Sequence, residues 1–256
     1  MNRRWLGMLG LAMVAGVAAM ALAWPAAAQQ VTLDLGAGGG GGNPNSTTLR
    51  VVQLIALTTI LSVAPSILVM VTSFTRIVIV LGFLRQALGT MQAPPNMVMT
   101  SLALFLTAFI MAPTLEQSWN QGIQPYMDGN LEEMEAFDRA VKPIHNFMAR
   151  HVRDQDVKLF MDLSRSKEVA RMEEVPLKAM VPAFMISELR RAFEIGFLIF
   201  LPFIIIDMVI ASVLMSMGMM MIPPAQIALP FKLIFFVLVD GWYMIVGSLV
   251  QSFGPG

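Results

Sequence analysis

No cysteine occurs among the 256 residues, so disulfides, thiolate catalysis and Cys-type zinc sites are excluded together. Charge is scarce as well: 13% of the residues are Asp, Glu, Lys or Arg, in equal numbers of each sign. No basic block offers an electrostatic footprint for a nucleic acid. Histidine is limited to His145 and His151, and no nucleophile stands with a base at usable spacing, which weakens a membrane-embedded hydrolase. What the chain has instead is apolar length. Hydrophobic residues make up 56% of it, well beyond the soluble norm, and the composition defines a membrane protein.

The stretch Ile195 to Pro224 organises the rest. Its first 22 residues, Ile195 to Ser216, are apolar apart from Asp207 and two serines. At about 1.5 Å per helical residue they can cross a hydrocarbon core of roughly 30 Å. They also carry Pro202 and run into Met219, Met220 and Met221, stopped by Pro223 and Pro224.

In chain order, residues 1–28 have the layout of a cleavable secretory signal: Arg3 and Arg4, an apolar run, then Ala26, Ala27 and Ala28. A cut after Ala28 puts the mature N-terminus outside the cytoplasm. Residues 29–48 form a glycine-rich linker, and the missing Gly-Lys-Ser/Thr excludes a phosphate loop. Residues 49–115 hold two apolar segments. Leu49 to Gly89 is expected as one long helix bent at Pro65, and Met97 to Leu115 as the next. Arg76 and Arg85 bracket the shorter apolar piece Ile77 to Leu84, and the connection that follows carries only positive charge, which places it in the cytoplasm.

Residues 116–181 break the apolar pattern and read as an extracytoplasmic insertion. Helices are expected over Leu131 to His151 and Val157 to Met172, interrupted by Pro125, Pro143, Pro176 and Pro182. Six apart on a helix, the two histidines fall on different faces. That argues against a metal pair and predicts two solvated side chains. Asp154 and Asp156 lack the glycine and closing glutamate of a calcium loop. Residues 182–256 return to the membrane pattern, with a last apolar helix from Ile227 to Phe253. The fold class is therefore all-α and membrane-associated, with four nominal transmembrane segments.

A charge at mid-membrane costs roughly 2.5–3.5 kcal/mol on insertion scales, so Asp207, Lys232 and Asp240 are expected to have partners. Two readings are open on spacing alone. One is an ion or proton path through a single subunit, as in a secondary transporter or channel; the other is a set of ion pairs between stacked copies. Three consecutive methionines make a deformable, polarizable surface suited to closing around irregular objects.

The segments from Pro182 to Pro224 and from Leu229 to Phe253 resemble the FliP/SctR family of the type III secretion export gate. They include Pro-Ala-Phe-x-x-Ser-Glu-Leu and Pro-Phe-Lys followed by an apolar run to Asp-Gly-Trp. The likeness extends through TSFTRIVIVLGFLRQALGTMQAPPN in the first half. It implies helical hairpins that assemble as a homo-oligomer with FliQ-like and FliR-like subunits in the flagellar basal body of the bacterial inner membrane. Unfolded flagellar proteins would pass through. By position it implies a gasket at Met219, Met220 and Met221 and an inter-subunit ion pair of Glu188 with Lys232. Phe147 and Phe160 match a constriction, and Asp207, Asp240 and Trp242 take packing roles. It implies no catalytic residue, metal or cofactor. A virulence-type injectisome subunit would share both signatures; the signal and linker favour the flagellar version. An ion channel or transporter is less favoured, because the apolar halves show no internal repeat.

Overall fold

The computed structural model describes residues 44–90, 92–166, 169, 171–219 and 223–254. The expected signal and most of the linker, with Met220 and Met221, lie outside the described residues. Contacts divide the chain after Ser62. In the first unit the described residues are helical, the beginning of α1 (Pro44–Val71). There the hydroxyls of Thr58, Thr59 and Ser62 donate to carbonyls three or four residues back, which satisfies polar groups on an apolar rod.

The second unit begins at Val63, within α1. Its helix does not bend on to Gly89 as expected. It stops at Val71, and α2 (Phe74–Leu88) starts afresh. Hydroxyls make this break at Thr72 and Ser73: the Phe74 N–H donates to Thr72 Oγ1 at 3.4 Å, and Thr75 Oγ1 donates to the Val69 carbonyl at 3.1 Å. Side chains of this kind offer the backbone an alternative to the helical ladder. Pro65 lies inside α1, since apolar helices tolerate an internal proline. At the far end Gly89, at φ 75°, closes α2 with a bond from its N–H to Gln86.

After α2 the chain enters α3 (Asn96–Ser118), which continues through a π-helical turn, Trp119–Ile123, into the short α4 (Gln124–Met127). The insertion then forms α5 (Glu133–His151) and α6 (Asp154–Leu163). Acidic residues occupy the first turn of each, and Arg150 the last turn of α5, as the helix dipole favours. Two expectations change here. Pro143 sits within α5 instead of interrupting it, and α6 lies earlier than Val157 to Met172, ending before Arg165 at φ 49°.

A single 40-residue helix, α7 (Leu177–Ser216), follows Pro176 and holds both Pro182 and Pro202 in its interior. The last expected helix is instead two: α8 (Pro224–Leu238) and α9 (Gly241–Gln251), bent by 62°. Asp240 makes the corner in left-handed conformation, φ 50° and ψ 52°. Gly241 follows because a Cβ there would lie 2.2 Å from the Phe236 ring.

All described regular elements are helices. Among the described residues two stretches, Asn96–Met127 and Leu177–Ser216, are long and apolar enough to cross a membrane, and the bent α8–α9 pair makes a third if it counts as one span. At 15 residues, α2 is too short to be one. The core of the second unit forms where α2, α3, α5 and α7 meet: Ile77, Leu81, Ala103, Met148, Met180 and Phe184 are shielded. A smaller cluster joins Leu84 and Leu88 to Phe203 and Phe236. Gly196 permits the close approach of α7 to α2, since a Cβ there would meet the Phe83 ring at 2.3 Å.

Candidate functional site

Arg76 and Glu188 form the electrostatic centre of the described chain, at 1% and 0% exposure. Arg76 Nε donates to Glu188 Oε2 at 2.8 Å and Nη2 donates to Oε1, a two-pronged match of guanidinium to carboxylate. The remaining prong, Nη1, reaches past α9 to the Ser252 hydroxyl at 2.9 Å and its carbonyl at 3.3 Å. The guanidinium carbon stands 3.7 Å from the centre of the Phe253 ring. One arginine thus ties α2, α7 and the chain beyond α9 together.

The second ion pair lies farther along α7. Lys232 Nζ donates to Asp207 Oδ2 at 2.6 Å and to the Ala87 carbonyl at 3.2 Å, linking α8, α7 and the end of α2. Asp207 Oδ1 is buried without a partner among the described residues. Glu188 and Lys232 are therefore not brought together within the chain; each is bonded to another residue of it. Asp240, in contrast, is exposed at the α8–α9 corner, and Trp242 sets its ring edge-to-face on Phe236 at 5.5 Å.

Met219 is exposed just beyond α7, after Gly218 at φ 73°, in the turn that leads to Pro223 and Pro224. Phe147 lies in the core, stacked on Phe253 and near Phe184, each ring centre 6.0 Å away. Phe160 is partly buried against the same core.

The histidines correct an expectation. Both are buried, not solvated, because α5 is flanked by α3 on one side and α7 on another, so two of its faces are covered. His145 Nε2–H donates to the Val175 carbonyl at 2.7 Å. His151 packs between Phe147 and Phe253. Burial, then the positive charges of Arg76, Arg191 and Arg150, push its pKa down to about 4. Among the described residues no group of three histidine or acidic side chains converges to hold a metal.

Sequence reasoning missed Arg76. It was legible only as a cation at the edge of an apolar run, and its acid stands 112 positions away. A charge inside a helix of this kind needs a partner, and that was the available signal.

Ion pairs that brace long apolar helices, one buried and one half-buried, with an exposed Met219 beyond α7, define a helical membrane protein. A family model described as the FliP family matches residues 57–249, and the chain belongs to that family. It is 56% identical over 249 residues to the flagellar biosynthetic protein FliP of Caulobacter vibrioides, covering 96% of this chain and 91% of the relative. The protein of that name from Bacillus subtilis is 56% identical over 202 residues, 79% of this chain and 91% of its own length. The Aquifex aeolicus protein is 48% identical over 204 residues, 79% and 85% respectively.

Proposed function

We propose that the chain is a non-catalytic, channel-forming subunit of the flagellar protein export gate in the bacterial inner membrane. Copies of it assemble with FliQ-like and FliR-like subunits and other export proteins in the basal body, and unfolded flagellar proteins pass between them. The flagellar version is preferred to an injectisome one because the compared relatives carry flagellar names.

The observation that carries this reading is the α7–α8 hairpin in a member of the FliP family. Asp207 and Lys232 tie its two arms together, and its tip offers exposed Met219 between Gly218 and the Pro223–Pro224 stop. Unbranched thioethers from Met219, Met220 and Met221 of several copies close the axis by apolar contact and yield to a passing chain. By position Phe147 and Phe160 are the candidates for a separate constriction; within one chain Phe147 lies in the core and Phe160 is partly buried. Deletion of Met219 to Met221 is expected to raise ion leakage through the assembled gate in reconstituted membranes, and unchanged leakage would count against a gasket.

The N-terminus and the 116–181 insertion lie outside the cytoplasm in this reading. The absence of cysteine makes this simple to test: a single cysteine placed at exposed Lys142 is expected to react with a membrane-impermeant maleimide added to spheroplasts. Labelling only after lysis would reverse the orientation.

A further inference from the structure

Burial along α9 rises from its start to its end. Trp242, Tyr243 and Met244 in the first turn are exposed, Ile245 and Val246 are partly covered, and Leu249 and Phe253 are buried. The corner before it is equally open, with Val237, Leu238 and Asp240 all exposed. At this near end α9 touches α8 through Gly241 and Trp242 against Phe236. Its hold on the bundle is therefore concentrated at the far end.

What holds that end is specific and separable. Arg76 meets Glu188 through Nε and Nη2, whereas Nη1 goes to Ser252. Withdrawing Ser252 leaves both bonds to Glu188 in place, so the end of α9 can leave without stranding a carboxylate in the core. Phe253 covers the guanidinium at 3.7 Å and stacks on Phe147, with His151 set edge-on at 5.2 Å. Beside this ring lies a cavity of about 480 Å³, bounded also by Ile110, Pro113 and Arg191. Protein interiors are otherwise close-packed, and a ring next to a void can turn away without displacing packed neighbours. The corner supplies a pivot. Asp240 is an L-residue in left-handed conformation, which its surroundings must maintain, and hinges absorb their change at element ends of this kind.

We propose that α9 is a hinged arm, turning about Asp240–Gly241 and closed on the bundle by a clasp of Ser252 and Phe253 on Arg76. In the closed state Phe253 shields the Arg76–Glu188 pair and covers Phe147 and His151 of α5. In the open state Asp240 relaxes toward the right-handed region and these groups are uncovered, while the bundle of α2, α3, α5 and α7 stays folded. Lys232 fastens α8 to Asp207 of α7, and the corner follows α8. The arm thus links the α7–α8 hairpin to the insertion, because a shift that moves the corner changes the population of the open clasp. This device belongs to one chain and does not depend on how copies assemble.

The test is the rate of thiol modification by N-ethylmaleimide in the full-length chain, purified in mild detergent, which carries no cysteine of its own. Leu249→Cys, 1% exposed under the closed arm, is compared with Ala103→Cys, 0% exposed in the core of the bundle. The first is expected to react at least about tenfold faster, because reaching it requires the clasp to open and reaching the second requires the bundle to unfold. Adding Phe253→Ala should raise the Leu249→Cys rate a further tenfold or so and leave Ala103→Cys unchanged. Ser252→Ala, which keeps both the ring and the Arg76–Glu188 pair, should raise it less, and it remains readable if Phe253→Ala does not fold. Asp240→Ala makes the left-handed corner costlier and should also speed Leu249→Cys alone. Equal rates at the two positions, or rates that rise together, would mean that α9 leaves only by unfolding and would overturn the arm. A Leu249→Cys rate indifferent to Phe253→Ala and Ser252→Ala would overturn the clasp, and one indifferent to Asp240→Ala would overturn the hinge.

Discussion

A guanidinium as buried as Arg76 is tolerable only while its partners hold every prong, so removing either member of the pair leaves a naked charge in the core. Arg76→Ala or Glu188→Ala is expected to destabilise the folded chain by about 3–5 kcal/mol. Replacing both with methionine should recover most of that loss, because no charge is left without a partner. Thermal unfolding in detergent measures the three variants; a double variant as unstable as the singles would mean that Arg76 acts mainly through Ser252 and Phe253. His151 makes a second prediction. Its folded pKa of about 4 lies below the ordinary 6.5, so the folded state takes up fewer protons than the unfolded one between those values. Stability from this source is complete above pH 6.5 and falls by up to about 3 kcal/mol as pH drops to 4. The charged groups that act on His151 are Arg76, Arg191 and Arg150. In His151→Phe that slope should be absent relative to wild type; identical pH profiles would show that His151 is not the group titrating. At this scale the sequence was a partial guide. It flagged Asp207 and Lys232 as needing partners, and they bond to each other within the chain. It took Arg76 for a flanking charge, because burial on one helix depends on a partner that only the fold brings near.

Among the elements, those longest and most apolar were legible, and their ends were not. The helix through Ile195 to Ser216 is present as the second half of α7, since a long apolar run bounded by Pro223 and Pro224 leaves the backbone few alternatives. Internal prolines do not interrupt these helices. Pro65, Pro182 and Pro202 all lie inside helices, whereas the breaks fall at Thr72–Ser73 and at Val239–Asp240. Hydroxyl bonds to the backbone make the first, and a left-handed residue followed by a required glycine makes the second, neither of which hydrophobic periodicity reports. The corner has a testable consequence. Gly241→Ala would drive a Cβ into the Phe236 ring and should cost about 1–3 kcal/mol, as overpacked cores do. Pairing it with Phe236→Leu should return part of the loss, measured by unfolding midpoint; equal loss in single and double variants would place the strain in the Asp240 backbone instead.

Across the whole molecule, the described surface leaves Phe105, Phe109, Phe193 and Phe197 in contact with whatever surrounds the chain, an apolar face suited to lipid or to other subunits. The assembly expected of this family would cover part of it, and the contact proposed between copies joins Glu188 to Lys232. Those are the same groups that Arg76 and Asp207 hold within one chain, so the two arrangements compete for them. Charge reversal separates the cases. If copies pair through Glu188 and Lys232, Glu188→Lys or Lys232→Glu alone should impair assembly and the two together should partly restore it. If the bonds within the chain dominate, the double reversal sets a lysine against Arg76 and a glutamate against Asp207 at once, and it should fail more completely than either single change. Particle mass of the purified complex, read beside the unfolding midpoint of the isolated chain, distinguishes a lost interface from a lost fold. Recovery of mass in the double variant would assign these residues to the contact between copies, and deeper loss with a lowered midpoint would assign them to the interior of one.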